Sequence, residues 1–164
     1  MNVSVRAARS EEWERARGLR LRALADAPDA FGSTLERERE HTEPEWRAWI
    51  GGWEGSTNRF VVGETQDGWV GMAVGSRTAD EPDAHLYGMW VEPAWRRRGV
   101  GGFLVQAVVD WARSWGARAV LLGVTERNDG AAGFYGRLGF TDTGERHPLR
   151  QDSSLLTRIY RLEL

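Results

Sequence analysis

With 164 residues, 41% of them hydrophobic, the chain reads as one globular domain spanning 1–164, long enough to bury a core. Its 22 basic residues against 24 acidic give a net charge of −2, which removes any general attraction to nucleic acid or an anionic membrane, so an anion site has to be local. No cysteine is present, which excludes disulfides, thiolate metal sites and a cysteine nucleophile.

The opening MNVSVRAARS lacks the apolar run of a signal peptide, and no stretch approaches the roughly 18 apolar residues of a membrane span. A cytoplasmic protein without membrane partners is the expectation. Every basic residue is arginine, a bias that a GC-rich genome explains.

Apolar periodicity predicts a strand over 2–8 and, from Ser10 with Glu11 and Glu12 behind it, an amphipathic helix to about Ala25. ADAPDAFGST breaks the pattern. Thr42 or Glu43 opens a second helix, on which Trp46, Trp49, Ile50 and Trp53 share one face. Strands over 59–65 and 68–77, joined by a tight QDG turn, read as a hairpin. The order then alternates: strand 85–91, helix from about Gly99 to Trp115, strand 118–125, helix 129–138 and strand 140–145. Val100, Phe103, Leu104, Ala107, Val108, Trp111 and Trp115 form the apolar stripe of the 99–115 helix, which Gly116 ends. RHPLRQDSS looks irregular, and LLTRIYRLEL reads as a last strand. A hairpin followed by one parallel strand–helix–strand unit gives an α/β fold of the α+β mixed kind, a mixed sheet flanked by helices.

The turn between strand 85–91 and its helix runs Arg96, Arg97, Arg98, Gly99, Val100, Gly101, Gly102. The first N–H groups of a helix lack internal partners, and glycines let a ligand approach them, so this turn suits a phosphate. Three cations at a helix N-terminus are each unfavourable by up to about 1 kcal/mol, which an anionic partner relieves. A P-loop is excluded because it needs lysine, and the dinucleotide fingerprint fails because Leu104 stands at its third glycine. The remaining template, R-x-x-G-x-G, is met by Arg96, Gly99 and Gly101.

Around it stand LYGMWVEP upstream and NDGAAGFYGRLGF downstream. Together, in this order and at these separations, the three motifs resemble the GNAT superfamily of N-acetyltransferases, most strongly over 85–140. The resemblance implies a central, mostly antiparallel sheet of six to seven strands with about four flanking helices, and acetyl-CoA as co-substrate without a metal. It places the phosphates on Arg96, Arg97, Arg98, Gly99, Val100, Gly101 and Gly102, and the pantetheine arm along the backbone of Met89, Trp90 and Val91. Asn128 aligns with an asparagine that contacts the coenzyme arm, though it is equally a helix cap.

Moving an acetyl group to an amine needs a proton removed from the amine, of which only about one molecule in two thousand is neutral at pH 7, and a proton supplied to the thiolate. The resemblance implies Tyr135 as that acid, beside the coenzyme sulfur. Where many family members carry a glutamate base this chain has His85, a residue type suited to base catalysis near neutral pH; Glu81 and Asp83 are fallbacks. The acceptor site is implied between the first two helices and the late loops. Phe31, Trp49 and His85 are its candidate residues, PDAFGST and RHPLRQDSS its variable walls, and Trp46 and Trp53 share the helical face with Trp49. His41, His85 and His147 lie far apart in sequence and suggest no metal site. The expected function is direct acetyl transfer, by a monomer or homodimer, to a primary amine of a small molecule. A longer acyl donor, a peptide amine, or a non-catalytic coenzyme A sensor are the alternatives.

Overall fold

The computed structural model describes residues 2–51 and 56–164; Trp53 lies outside them. Seven strands form one sheet in the order β1-β2-β3-β4-β5-β7-β6, with β1 Ser4–Ala7, β2 Asn58–Thr65, β3 Gly68–Ser76, β4 Ala84–Val91, β5 Ala119–Thr125, β6 Thr141–Pro148 and β7 Leu156–Glu163. All neighbours are antiparallel except β4 and β5. That parallel pair is joined by the helix α4, Val100–Ser114.

Five α-helices accompany the sheet among the described residues: α1 Trp13–Asp26, α2 Leu35–Arg39, α3 Glu43–Ile50, α4, and α5 Asp129–Arg137. The expectation of about four omitted α2, a helix too short to show periodicity. Thr34 caps α2 by accepting from the Arg37 N–H at 3.3 Å, and Thr42 and Glu45 form a reciprocal capping box on α3. Ser10 does not cap α1. A 3-10 turn over Ser10–Glu12 precedes that helix, and the Glu12 carboxylate takes the Arg9 N–H at 3.0 Å. β6 continues through Arg146–Pro148, correcting the reading of that stretch as irregular. Its residues are exposed throughout, so no apolar alternation marked it.

Each face of the sheet carries its own core. On one, Val100, Leu104, Val105, Val108, Val109 and Ala112 of α4 pack over Val61, Ala73, Leu86, Val120 and Leu122. The buried stripe therefore runs through 104, 105, 108, 109 and 112 rather than through Phe103, which stays 61% exposed. On the other face Leu19, Ala23 and Leu24 of α1 and Ile50 of α3 cover Phe60, Val62, Met72, Val74 and Trp90. Trp46 is also fully buried, so half of the aromatic face of α3 is core.

Two irregularities prepare a site at the centre of the sheet. β4 and β5 pair only at Ala84–Val120 and His85–Leu121, then separate. β4 also bulges where its register against β3 shifts, with Gly88 at φ +62. A side chain disfavours that left-handed backbone, which glycine adopts without penalty.

Candidate active site

The turn after β4 is built as a helix start open to an anion. Phe103 N–H makes the first α4 bond, to Gly99 O at 3.2 Å, leaving the N–H groups of Val100, Gly101 and Gly102 without helical partners. Gly99 takes φ +83, and Arg97, unusually for its type, φ +60. A left-handed arginine costs about 1–2 kcal/mol, the kind of local cost that collects at ligand-binding turns. A Cβ on Gly101 would stand 2.8 Å from Met89 Cε and 3.1 Å from the Phe134 ring, so this glycine seats α4 between β4 and α5. A Cβ on Gly102 would meet nothing within 4 Å, so the surface above that N–H is open.

The three arginines differ in their engagements. Arg96 donates from Nε to Val91 O at 2.9 Å and from Nη2 to Asp26 Oδ2 at 2.6 Å. Asp26 also accepts the Trp90 indole N–H at 2.9 Å, and these two bonds, Trp90 first, hold its carboxyl below the ordinary range. Arg96 thus braces the end of β4 against the end of α1. Arg98 lies over the Trp95 ring at 5.3 Å, and Arg97 is exposed. Val100 is buried core and contributes only its backbone to the turn.

Where β4 and β5 part, a cavity of about 340 Å³ opens between the two faces of the sheet. Tyr135 reaches it from α5, Leu86 to Met89 from β4, Leu122, Gly123 and Thr125 from β5, and Arg20 from α1. The phenol of Tyr135 is pushed well above its ordinary pKa by burial; its ring packs edge-on to Phe134 and Phe140. Asn128 Oδ1 accepts the Ala131 N–H at 3.1 Å, so its carbonyl serves as the α5 cap. Met89, Trp90 and Val91 form the last part of β4, beyond the point where it leaves β5.

The walls come from the two loops expected to vary. Ala30, Phe31 and Gly32 stand on one side and His147, Pro148 and Leu149 on the other. Arg150 joins them, donating to Phe31 O at 2.7 Å, while Thr125 Oγ1 donates to Asp29 O at 2.7 Å. Trp49 backs the cavity rather than lining it: its ring lies 5.4 Å from the Arg20 guanidinium. Burial raises the Tyr87 phenol.

His85 lines an adjoining recess of about 440 Å³, with Tyr87, Leu121, Glu145, His147 and Ile159. Its Nε2 is 2.8 Å from Glu81 Oε2, whereas Asp83 is held by Arg161 Nη1 at 2.6 Å, which leaves it poorly placed as a base. His147, 3.4 Å from Glu145, lines both spaces; the sequence reading put it in a variable wall but did not single it out. Register with β7 pairs it with Thr157, information that no local pattern around RHPL carries. No group of three or more metal-binding side chains exists among the described residues.

Comparison with known proteins places this geometry. The acetyltransferase (GNAT) family model matches residues 12–140. A mycothiol acetyltransferase of Thermobispora bispora is 32% identical over 123 residues, 75% of this chain but 41% of its own length. The chain likewise spans 26% of an uncharacterized N-acetyltransferase, MJ1207, of Methanocaldococcus jannaschii, at 39% identity over 59 residues and 36% of this chain. Among solved structures, yncA of Salmonella typhimurium with acetyl-CoA superposes at TM-score 0.79, with 21% identity and 100% and 95% of the two chains covered. PaiA N-acetyltransferase of Thermoplasma acidophilum with coenzyme A does so at 0.78, with 15% identity and both chains covered fully. The family model takes in the splayed strands, the glycine-rich turn and Tyr135 alike, and the chain belongs to the GNAT family of N-acetyltransferases.

Proposed function

We propose that the protein transfers an acetyl group directly from acetyl-CoA to a primary amine, with both substrates bound together. The observation that carries this reading is the continuous path through the sheet. The bare helix start follows β4, the edge of β4 beyond His85 is unpaired with β5, and the cavity lined by Tyr135 lies where the two strands part. Two relatives by fold, yncA and PaiA, were solved with acetyl-CoA and coenzyme A, in keeping with that path.

The N–H groups of Val100, Gly101 and Gly102 receive pyrophosphate oxygens, with Arg97 and Arg98 supplying charge and Arg96 holding the turn in shape. Backbone of Met89 to Val91 aligns the pantetheine arm, and the Asn128 side-chain amide steadies it. The amine enters from the open face of β5 and β7. Its nitrogen forms a bond to the thioester carbonyl carbon as the carbon–sulfur bond breaks. His147, which shares the cavity with Tyr135, takes the amine proton, and His85 with Glu81 passes it outward to solvent. Tyr135 donates its phenolic proton to the departing sulfur and recovers one from solvent on product release.

Thermal unfolding with acetyl-CoA, coenzyme A and NADH, followed by an amine screen read as thiol release, tests this. Ligand at a hundred times its Kd adds about 2.7 kcal/mol, or roughly 5–10 °C in Tm for this size. A shift with both coenzyme A ligands and none with NADH, followed by turnover, is expected. A shift without turnover on any amine means a coenzyme A sensor, and no shift removes the cofactor on which these roles rest.

A further inference from the structure

One wall of the acceptor cavity holds a charged group with donors to spare. Arg20 is 96% buried, being 4% exposed. Its Nε and Nη2 donate to both oxygens of Glu38, at 2.8 and 2.7 Å, and its guanidinium is sandwiched near Phe31, at 4.6 Å, and Trp49, at 5.4 Å. Nη1 has no partner among the described residues. It stands 3.3 Å from where a Gly88 side chain would begin, at the β4 bulge. Thr157 lines the same cavity, and its Oγ1 is likewise buried and without a partner among the described residues. A buried N–H of a cation left without an acceptor is costly, and two such donors on residues that line one cavity need an explanation.

Arg20 does not need Nη1 to hold Glu38. The fork of Nε and Nη2 already satisfies the carboxylate bidentately, and Phe31 and Trp49 fix the plane of the guanidinium. Nη1 is therefore presented at a set position beside Gly88, next to Met89, where the thioester has to lie if the proposed path is right. An acceptor whose amine attacks there places its neighbouring atoms against Nη1.

Resting on the acetyltransferase reading, we infer that the natural acceptor carries a carbonyl-type oxygen, a carboxylate or an amide, close to its reacting amine, as α-amino acids and their amides do. Arg20 Nη1 and Thr157 Oγ1 receive that oxygen. They are specificity residues: they select the acceptor without handling the transferred proton. A plain alkyl amine leaves both donors unpaired in the complex and is disfavoured on that account.

The test compares matched acceptors by kcat/KM, with thiol release as the readout and acetyl-CoA saturating. Leucine, leucinamide and 3-methylbutylamine share one side chain and differ only in the oxygen group; phenylalanine, phenylalaninamide and phenethylamine repeat the comparison. Wild type is expected to favour a carbonyl-bearing form over the plain amine by about tenfold or more, the discrimination one hydrogen bond to a charged donor provides. Whether acid or amide is preferred identifies which oxygen group the site takes. Arg20→Lys keeps a cation opposite Glu38, and Thr157→Val keeps volume; a fall of the ratio toward one in either variant assigns the oxygen to that donor. Equal rates with plain amines in wild type, or an unchanged ratio in both variants, overturn the inference while leaving the acetyltransferase intact. Turnover confined to amines that carry no carbonyl-type oxygen beside the nitrogen overturns it too, whereas loss of the acetyl-CoA thermal shift is the failure of the underlying reading.

Discussion

Tyr135 shows how much a residue's environment adds to its identity. Burial alone lifts its phenol well above the ordinary range, so the group keeps its proton at neutral pH. Tyr135→Phe is expected to lower kcat by about 10²-fold or more, with the acetyl-CoA thermal shift kept. An equal loss of binding and rate would instead assign the ring to coenzyme packing. The residue was identifiable from NDGAAGFYGRLGF alone, but its surroundings were not, because Leu86, Met89 and Leu122, which line the same cavity, come to it only through the fold. Arg96 is the converse case. R-x-x-G-x-G marks it as a phosphate candidate, and the fold adds a partner that the motif does not hold: Asp26, seventy positions away in sequence, accepts from its guanidinium.

At the scale of elements, α4 and its turn separate binding from stability. A side chain at Gly102 points into open space, and a carboxylate in the first turn suits the helix dipole. Gly102→Glu is therefore expected to fold with an unligated Tm within about 2–4 °C of wild type and to lose the stabilisation by acetyl-CoA, through repulsion of the pyrophosphate. Gly101→Val is expected to lower the unligated Tm instead, since its side chain meets Met89 and Phe134. A Gly102→Glu protein that still shifts with acetyl-CoA would move the phosphates off this turn. The α4 stripe was legible as helical, but its buried side was misplaced, with Phe103 outside it and Val105, Val109 and Ala112 within it, because several apolar residues there compete for the inward face. The five residues of α2 gave no period at all, and with them the burial of Glu38 beneath Arg20 stayed hidden.

Over the whole molecule, stability should form a dome in pH with two assignable edges. Hydrogen bonds from Arg6 hold Glu12 and Glu64 down to about 2, tying β1 and β2 to the start of α1. A lowered carboxyl stabilises the fold fully above its unfolded value, near 4.5, and that contribution disappears as pH falls toward 2. Arg6→Met is expected to lower stability at pH 7 and to flatten the decline between pH 4.5 and 2, as urea unfolding across that window would measure. Tyr135 sets part of the other edge. Its raised pKa means that stability is full below about pH 10 and falls above it, as the unfolded phenol ionises first; Tyr135→Phe should lack that fall. The sequence by itself determined the order of the seven strands and of four helices, the parallel unit, the glycine-rich helix start and the family, because periodicity, helix starts and motif spacing are local. Only the tertiary structure decided that Arg96 is tied to Val91 and Asp26, that His147 and Tyr135 line one cavity, and that Arg20 lines it with an Nη1 that has no partner among the described residues. Those facts depend on strand register and on the parting of two strands, which bring together residues distant in the chain and leave no periodic trace in it.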